Sequence, residues 1–119
     1  MARTVMIVED DADIRSYLAE ILEDEGYEVA RAADGAEALD RLRANTPPSA
    51  ILLDLMMPVM DGWQFRRELL KDPALAAIPV IVLSGVVDPQ REAALLGAAG
   101  YVDKPFKLPQ LLNLLAEHA

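Results

Sequence analysis

Five strand-like runs alternate with five helix-like segments along the chain, and this alternation restricts the fold more than any other feature. In the first helix-like segment, Ile14, Leu18 and Leu22 recur at helical spacing and predict one buried stripe. Repeated β–α alternation is typical of a parallel sheet covered by helices on both faces. The predicted strands cover residues 5–8, 27–32, 50–54, 79–84 and the region around 101–102.

Helix-breaking residues mark the ends of the predicted helices. Gly26 and Gly97 end the first and the fourth. Asp72-Pro73 ends the third, because proline disfavours helical backbone in the residue before it. Since parallel crossovers are right-handed, few topologies remain. We expect an α/β fold: a flavodoxin-like, doubly wound, five-stranded parallel sheet in the order 2-1-3-4-5. Its switch point, where ligands bind in such sheets, lies between strands one and three.

Length and charge narrow the class of protein. The chain has 119 residues, and we expect one domain over residues 1–119. The formal charge of −9 argues against direct nucleic-acid binding and against docking on anionic membranes. The absence of cysteine excludes disulfide and thiol chemistry. No signal peptide or spanning segment is visible in the sequence, so the prediction is a cytoplasmic protein without membrane insertion.

Acidic residues follow the two strands that flank the switch point. Glu9 and Asp10 follow strand one, and Asp54 closes strand three. A carboxylate at the end of a buried strand is costly unless it meets a cation or hydrogen bonds. Because hard divalent cations prefer carboxylate oxygens, these acids without a neighbouring His or Cys favour Mg²⁺ over zinc. The alternative for the acids after strand one is helix capping, for which Asp11 is the best candidate.

Two further polar groups follow the fourth and fifth predicted strands. A lysine at a strand end, such as Lys104, is unusual unless it pairs with an anion, and the alternative is a surface position before a loop. Ser84 could donate a hydrogen bond to an anionic oxygen, or it could cap the next helix. Together with the acids, these groups describe a site for phosphoryl transfer in which Asp54 is the nucleophile.

Four motifs, in this order and spacing, resemble the receiver domain of bacterial two-component response regulators. They are Val8-Glu9-Asp10-Asp11, the loop DLMMPVMDG over residues 54–62, Ser84-Gly85, and the segment GYVDKPF over residues 100–106. The resemblance covers the whole chain. It implies the doubly wound fold and a signalling switch that is controlled by phosphorylation.

The resemblance also implies roles for individual residues around the phosphoacceptor, Asp54. Ser84 and Lys104 would bind the phosphoryl group, and Tyr101 would be the switch aromatic. In this family the hydroxyl residue moves toward the phosphoryl group and the aromatic swings inward. The face formed by the fourth helix, the fifth strand and the fifth helix then changes partners. The implied Mg²⁺ ligands are Asp10 directly, Glu9 through a water, Asp54, and the backbone carbonyl of Met56.

We therefore expect a phosphorylation-dependent signalling switch and not an enzyme in the usual sense. Its phosphodonor would be a histidine kinase or a histidine phosphotransfer protein, and its chemistry would be limited to self-phosphorylation and slow self-dephosphorylation. The sequence does not name the output partner. It fits a stand-alone receiver and a receiver within a larger regulator or hybrid kinase equally well.

Two other functions are alternatives to this one. The first is a small Mg²⁺-dependent phosphohydrolase with an aspartyl nucleophile. Such enzymes usually carry an acid two residues after the nucleophile, and here that residue is Met56. The second is an interaction-only receiver, which would lack site residues, and none is missing from this sequence.

Other residues have ordinary structural interpretations. We expect Trp63 to be a half-buried helix residue and Arg66-Arg67 to form a solvated helix face. Ala99-Gly100 stands where receivers of the winged-helix transcription-factor subfamily have acids that support a dimer, so we do not expect that dimer. Met56 and Val86 border the expected site, and neither side chain can hydrogen-bond an attacking water.

Overall fold

Five parallel strands form one sheet in the order β2-β1-β3-β4-β5, which confirms the predicted topology. The computed structural model describes residues 3–84, 88–103 and 107–119, apart from the side chains of Ser84 and Pro89. The strands are β1 (Thr4–Val8), β2 (Glu28–Ala32), β3 (Ala50–Asp54), β4 (Val80–Ser84) and β5 (Gly100–Asp103).

Six helices connect and follow these strands within the described ranges. They are α1 (Ala12–Asp24), α2 (Gly35–Ala44), α3 (Gly62–Lys71), α4 (Pro73–Ala76), α5 (Pro89–Leu96) and α6 (Leu108–His118). The fourth and fifth helices predicted from the sequence are thus α5 and α6. None of the helices described is both long enough and apolar enough to cross a membrane.

The sheet is covered on both faces because its central strands are apolar on both sides. All five residues of β3 are buried, and alternate residues point to opposite faces. Ile51 and Leu53 pack in the cluster formed with α2, α3, α4 and α5. Ala50 and Leu52 pack in the cluster formed with α1 and α6. This burial on both faces is what distinguishes a parallel α/β sheet from a sheet with one solvated face.

Aspartates cap the starts of most of the helices. The side chain of Asp11 accepts hydrogen bonds from the backbone N–H groups of Asp13 and Ile14, at 2.9 and 3.1 Å, which confirms its predicted role as a cap. A capping side chain of this kind typically contributes about 1 kcal/mol to helix stability. The other capping aspartates are Asp34 for α2, Asp61 for α3, Asp72 for α4 and Asp88 for α5.

The short helix α4 was not predicted. Asp72-Pro73 does end α3, as expected, but the same two residues also begin α4. The Asp72 side chain accepts from the N–H of Ala74 at 3.0 Å, and Pro73 occupies a first-turn position where its missing N–H costs nothing. With only four residues, α4 is too short to produce a periodic pattern, so the sequence did not reveal it.

The arginine pair of α3 does not form the solvated helix face that the sequence predicted. Arg67 is exposed, but Arg66 is only 7% exposed and is therefore not part of a solvated face. Its Nε donates to the carbonyl of Leu96 at 2.9 Å, so the side chain reaches across to the end of α5. Trp63 is half-buried, as predicted, and packs against the larger core cluster.

The loop between β3 and α3 contains a strained residue, Val59. Its φ is 67°, in the left-handed region that costs L-residues about 1–2 kcal/mol and that β-branched residues rarely adopt. Its side chain is 83% exposed, so little burial compensates for the strain. The turn is tight, because the N–H of Met60 donates to the carbonyl of Pro58 at 2.7 Å.

Replacing Val59 with glycine should raise the free energy of unfolding by about 0.5–1 kcal/mol. Glycine adopts a positive φ without strain, although the greater entropy of its unfolded chain removes part of the gain. Urea denaturation of both proteins measures the difference. Val59→Ala retains a Cβ and is the matched control, with a smaller gain expected. A glycine variant no more stable than the original protein would contradict the presence of strain at this position.

Candidate functional site

Parallel pairing of β1 with β3 brings the predicted acids together. Val8 lies opposite Leu53 in the register, so the residues that follow them, Glu9 and Asp54, are neighbours at the carboxyl edge of the sheet. Asp10 continues the chain beyond Glu9 at the same edge. This edge is the switch point of the strand order, where ligands bind in open α/β sheets.

Three carboxylates converge at this edge. One oxygen from each of Glu9, Asp10 and Asp54 lies within 4.8 Å of the other two. Glu9 is 1% exposed and Asp54 3% exposed, whereas Asp10 is exposed to solvent. Burying carboxylates this close together is unfavourable unless cations and hydrogen bonds compensate. The site is therefore built to attract positive charge, with Asp10 at its open side.

Backbone N–H groups hold the two buried carboxylates. Oε1 of Glu9 accepts from the N–H of Asp11 at 3.3 Å, and Oδ1 of Asp54 accepts from the N–H of Met56 at 3.4 Å. The Met56 side chain itself is 66% exposed. Each loop thus turns back on the acid that precedes it, which restricts the orientation of the carboxylate groups.

Arg15 supports the acidic loop and was not among the predicted site residues. From the first turns of α1, its Nη1 donates to the carbonyl of Glu9 at 2.7 Å and is 3.5 Å from that of Asp10. These bonds fix the backbone between the two acids and place a positive charge beside them. The sequence feature that could have identified Arg15 is a basic residue one turn into the helix that follows the acids.

Gly62 allows α3 to begin directly against the end of β3. Its N–H donates to the carbonyl of Leu55 at 2.9 Å. A Cβ at position 62 would lie 2.7 Å from the Asp54 carbonyl oxygen and from the Cα of Leu55, closer than a Cβ tolerates. Only glycine permits this approach without a backbone shift, so α3 and the loop after Asp54 are in direct contact.

The register places Ser84 at the same carboxyl edge of the sheet as Asp54. Asp54 lies opposite Leu83, so Ser84 ends β4 one position further along, and Ser84 lies opposite Asp103. Tyr101 is half-buried against the larger core cluster. Lys104 falls outside the described residues, and the roles of Ser84, Lys104 and Tyr101 stay predictions.

The ligand atoms at this site fit a hard divalent cation. All three converging groups are carboxylates, and the chain has no cysteine and a single histidine, at position 118 of α6. Such an all-oxygen set favours Mg²⁺ over zinc, which prefers nitrogen and sulfur ligands. The predicted contribution of the Met56 carbonyl stays a prediction.

Sequence comparison defines the class of protein that this fold and site represent. Residues 5–116 match the family described as "Response regulator receiver domain". The chain therefore belongs to the receiver domain family, the signalling domain of two-component response regulators, and the predicted family is confirmed.

Individual relatives agree with this assignment. The chemotaxis protein CheY of Halobacterium salinarum is 32% identical over 118 residues, covering 98% of this chain and 97% of the relative. The response regulator MprA of Mycobacterium sp. strain KMS is 40% identical over 110 residues, 91% of this chain but only 46% of MprA. The receiver is thus nearly the whole of one relative and about half of the other.

Solved structures show the same fold. The chemotaxis protein CheY4 of Vibrio cholerae superimposes with a TM-score of 0.88 at 31% identity, over the full length of both chains. The receiver domain of the sensor histidine kinase PA1611 of Pseudomonas aeruginosa PAO1 gives a TM-score of 0.89 at 28% identity, with 99% and 98% of the two chains covered. That PA1611 structure contains a magnesium ion coordinated in its active-site cleft.

Proposed function

We propose that this receiver is a phosphorylation-dependent switch whose phosphoacceptor is Asp54. The observation that carries the proposal is the convergence of Glu9, Asp10 and Asp54 within 4.8 Å at the switch point of the sheet. Asp54 closes the central strand β3 and is held by the N–H of Met56. A carboxylate in this position is fixed relative to the cleft, as a nucleophile must be.

The proposed reaction transfers phosphoryl from a phosphohistidine to Asp54. A carboxylate oxygen of Asp54 attacks phosphorus, the phosphorus–nitrogen bond breaks, and the released imidazole takes up a proton. Ser84 and Lys104 bind oxygens of the transferred group. Mg²⁺, when held by Glu9 through a water, by Asp10, by Asp54 and by the Met56 carbonyl, would offset the negative charge that develops on those oxygens.

The proposed output is a change in the face formed by α5, β5 and α6. Phosphorylation adds a dianionic group next to the ends of β4 and β5. Ser84 would move toward this group and Tyr101 would swing inward, which shifts a population between two states of the face. The face would then bind an output partner in one state better than in the other.

A role limited to signalling is supported by the residue at position 56. Aspartyl-phosphate hydrolases usually place an acid two residues after the nucleophile, and the thioether of Met56 cannot accept or donate a proton there. We therefore infer self-phosphorylation and slow self-dephosphorylation as the only chemistry. The phosphodonor is a histidine kinase or a histidine phosphotransfer protein.

The first functional prediction concerns Asp54. Incubation with acetyl phosphate and Mg²⁺ should add one phosphate to the protein, measured by intact mass, and Asp54→Asn should abolish the addition. Asp61→Asn is the matched control, because it makes the same chemical change in the same loop and asparagine still caps α3. Full labelling of the Asp54→Asn variant would overturn the assignment.

The second prediction concerns the metal ligands. Mg²⁺ should raise the melting temperature because it binds the folded form. At a concentration 100 times its Kd, this binding stabilises the folded form by about 2.7 kcal/mol. Asp10→Ala should abolish this shift and leave the metal-free protein at least as stable, because one of three mutually repelling charges is removed. Thermal melts with and without Mg²⁺ measure both effects. Asp13→Ala removes the same charge from α1 and should retain the shift. An undiminished shift in Asp10→Ala would argue against Asp10 as a ligand.

The third prediction concerns the lifetime of the phosphorylated state. Hydrolysis needs a water in line with the phosphorus–oxygen bond, and the Met56 thioether is only a weak hydrogen-bond acceptor for that water. The variant Met56→Asn/Val86→Glu should dephosphorylate about tenfold faster, which requires only about 1.4 kcal/mol of barrier lowering. Decay of the phosphorylated protein after donor removal is the measurement.

A matched control separates this effect from a general loosening of the loop. Val59→Asn places the same amide three residues further along, on a side chain that is 83% exposed, and should leave the decay rate unchanged. If the double variant decays no faster than the unmodified protein, access of water past these two side chains does not limit the lifetime.

A further inference from the structure

Helix α5 is held against the rest of the protein by little apolar burial. Of its described side chains only Ala93, at 5% exposed, is buried, while Leu96 is half-buried and Leu95 is 70% exposed. By contrast, α3 fully buries Phe65 and Leu69. Because apolar stabilisation scales with the area removed from water, one methyl side chain and part of a leucine hold α5 only weakly.

Two polar side chains of α3 compensate for this weak packing. Nε1 of Trp63 donates to Oε2 of Glu92 at 2.8 Å, near the start of α5. At the other end, Nε of Arg66 donates to the carbonyl of Leu96 at 2.9 Å and Nη2 donates to that of Gly97 at 3.3 Å. We call Trp63, Arg66 and Glu92 the α3–α5 clamp.

The arginine half of the clamp is stronger than an ordinary surface contact. Helix C-termini leave backbone carbonyls without intrahelical partners, and a cation there also interacts favourably with the helix dipole. Arg66 is 7% exposed, so its charged hydrogen bonds are shielded from water. Burial lowers the pKa of the Arg66 guanidinium, but an arginine starts so far above neutral pH that it stays charged.

The same helix that carries the clamp begins at the phosphoacceptor strand. Gly62 packs its backbone against Asp54 and Leu55, and Trp63 is the next residue. The end of β3 and the start of α3 are thus joined by backbone contact, without an intervening flexible side chain. The clamp joins α3 in turn to both ends of α5.

We propose that Trp63 and Arg66 are positioning residues through which α3 holds α5 in place and couples it to the end of β3. The clamp sets how readily α5 opens locally. It also sets how far the α5–β5–α6 face responds to a change at Asp54, and this second part rests on the proposed function.

Amide hydrogen exchange of α5 tests the clamp without any phosphodonor. Trp63→Phe keeps an aromatic ring but loses the N–H, and Arg66→Met keeps the aliphatic stem but loses the guanidinium. Each change should speed exchange of the hydrogen-bonded amides over residues 93–98 by about tenfold, and the double variant by more. Amides of α1 should stay within twofold of the unmodified protein.

Two control variants separate the clamp from general effects on the helices. Arg67→Met makes the same change at an exposed neighbour and should leave α5 exchange unchanged. Glu92→Gln retains an oxygen acceptor for Trp63 and should be close to the unmodified protein. The proposal is overturned if the double variant exchanges at α5 no faster than Arg67→Met. It is equally overturned if α1 and α5 accelerate together, which would mean a loss of global stability only.

The coupling is tested on the same proteins after treatment with acetyl phosphate and Mg²⁺. Intact mass reports phosphorylation, and the change in α5 exchange reports the response. The double variant should be phosphorylated as fully as the unmodified protein but show less than half of its change at α5. An undiminished change would overturn the coupling. Failure of phosphorylation itself would refute the proposed function but would leave the donor-free exchange result standing as a test of the clamp.

Discussion

The mutual repulsion of three carboxylates at one sheet edge is the constraint on which the rest of the structure depends. Glu9 and Asp54 are held side by side because β1 and β3 are parallel neighbours and both are buried. The apolar packing of these strands on both faces supplies the stability that opposes the repulsion. The loops then direct backbone N–H groups at the two buried acids, and Arg15 fixes the backbone between Glu9 and Asp10.

The acidic residues of the site and of the helix starts fall into two groups with different structural roles. A few acids form the site, while aspartates at the helix starts satisfy backbone N–H groups that have no partner within the helix. Asp61 belongs to the second group although it lies in the loop that follows Asp54, because its side chain accepts from the N–H of Gln64 at 2.8 Å. The site loop is thereby anchored at one end by β3 and at the other by a capped helix.

Helix α3 contacts both the candidate site and helix α5. It begins against the backbone of Asp54 through Gly62, buries Phe65 in the core, and reaches α5 through Trp63 and Arg66. A rigid element in contact with both the site and a weakly packed helix is well placed to link them.

The sequence by itself determined the fold class and the identity of the acids that converge, because these follow from local features. The strand order was predicted with the help of a general rule, since right-handed crossovers leave few topologies. Alternating periodicity shows which elements form, and the end of a buried strand shows where Asp54 must lie. Tertiary structure decided what the long polar side chains do. Arg66 has the charge of a surface residue, but it lies on the buried stripe of α3 with Phe65 and Leu69, where the carbonyls of Leu96 and Gly97 lie within its reach. Periodicity reports which face of a helix is apolar, but only the packing of α3 against α5 determines which unpaired backbone groups a neighbouring side chain can satisfy.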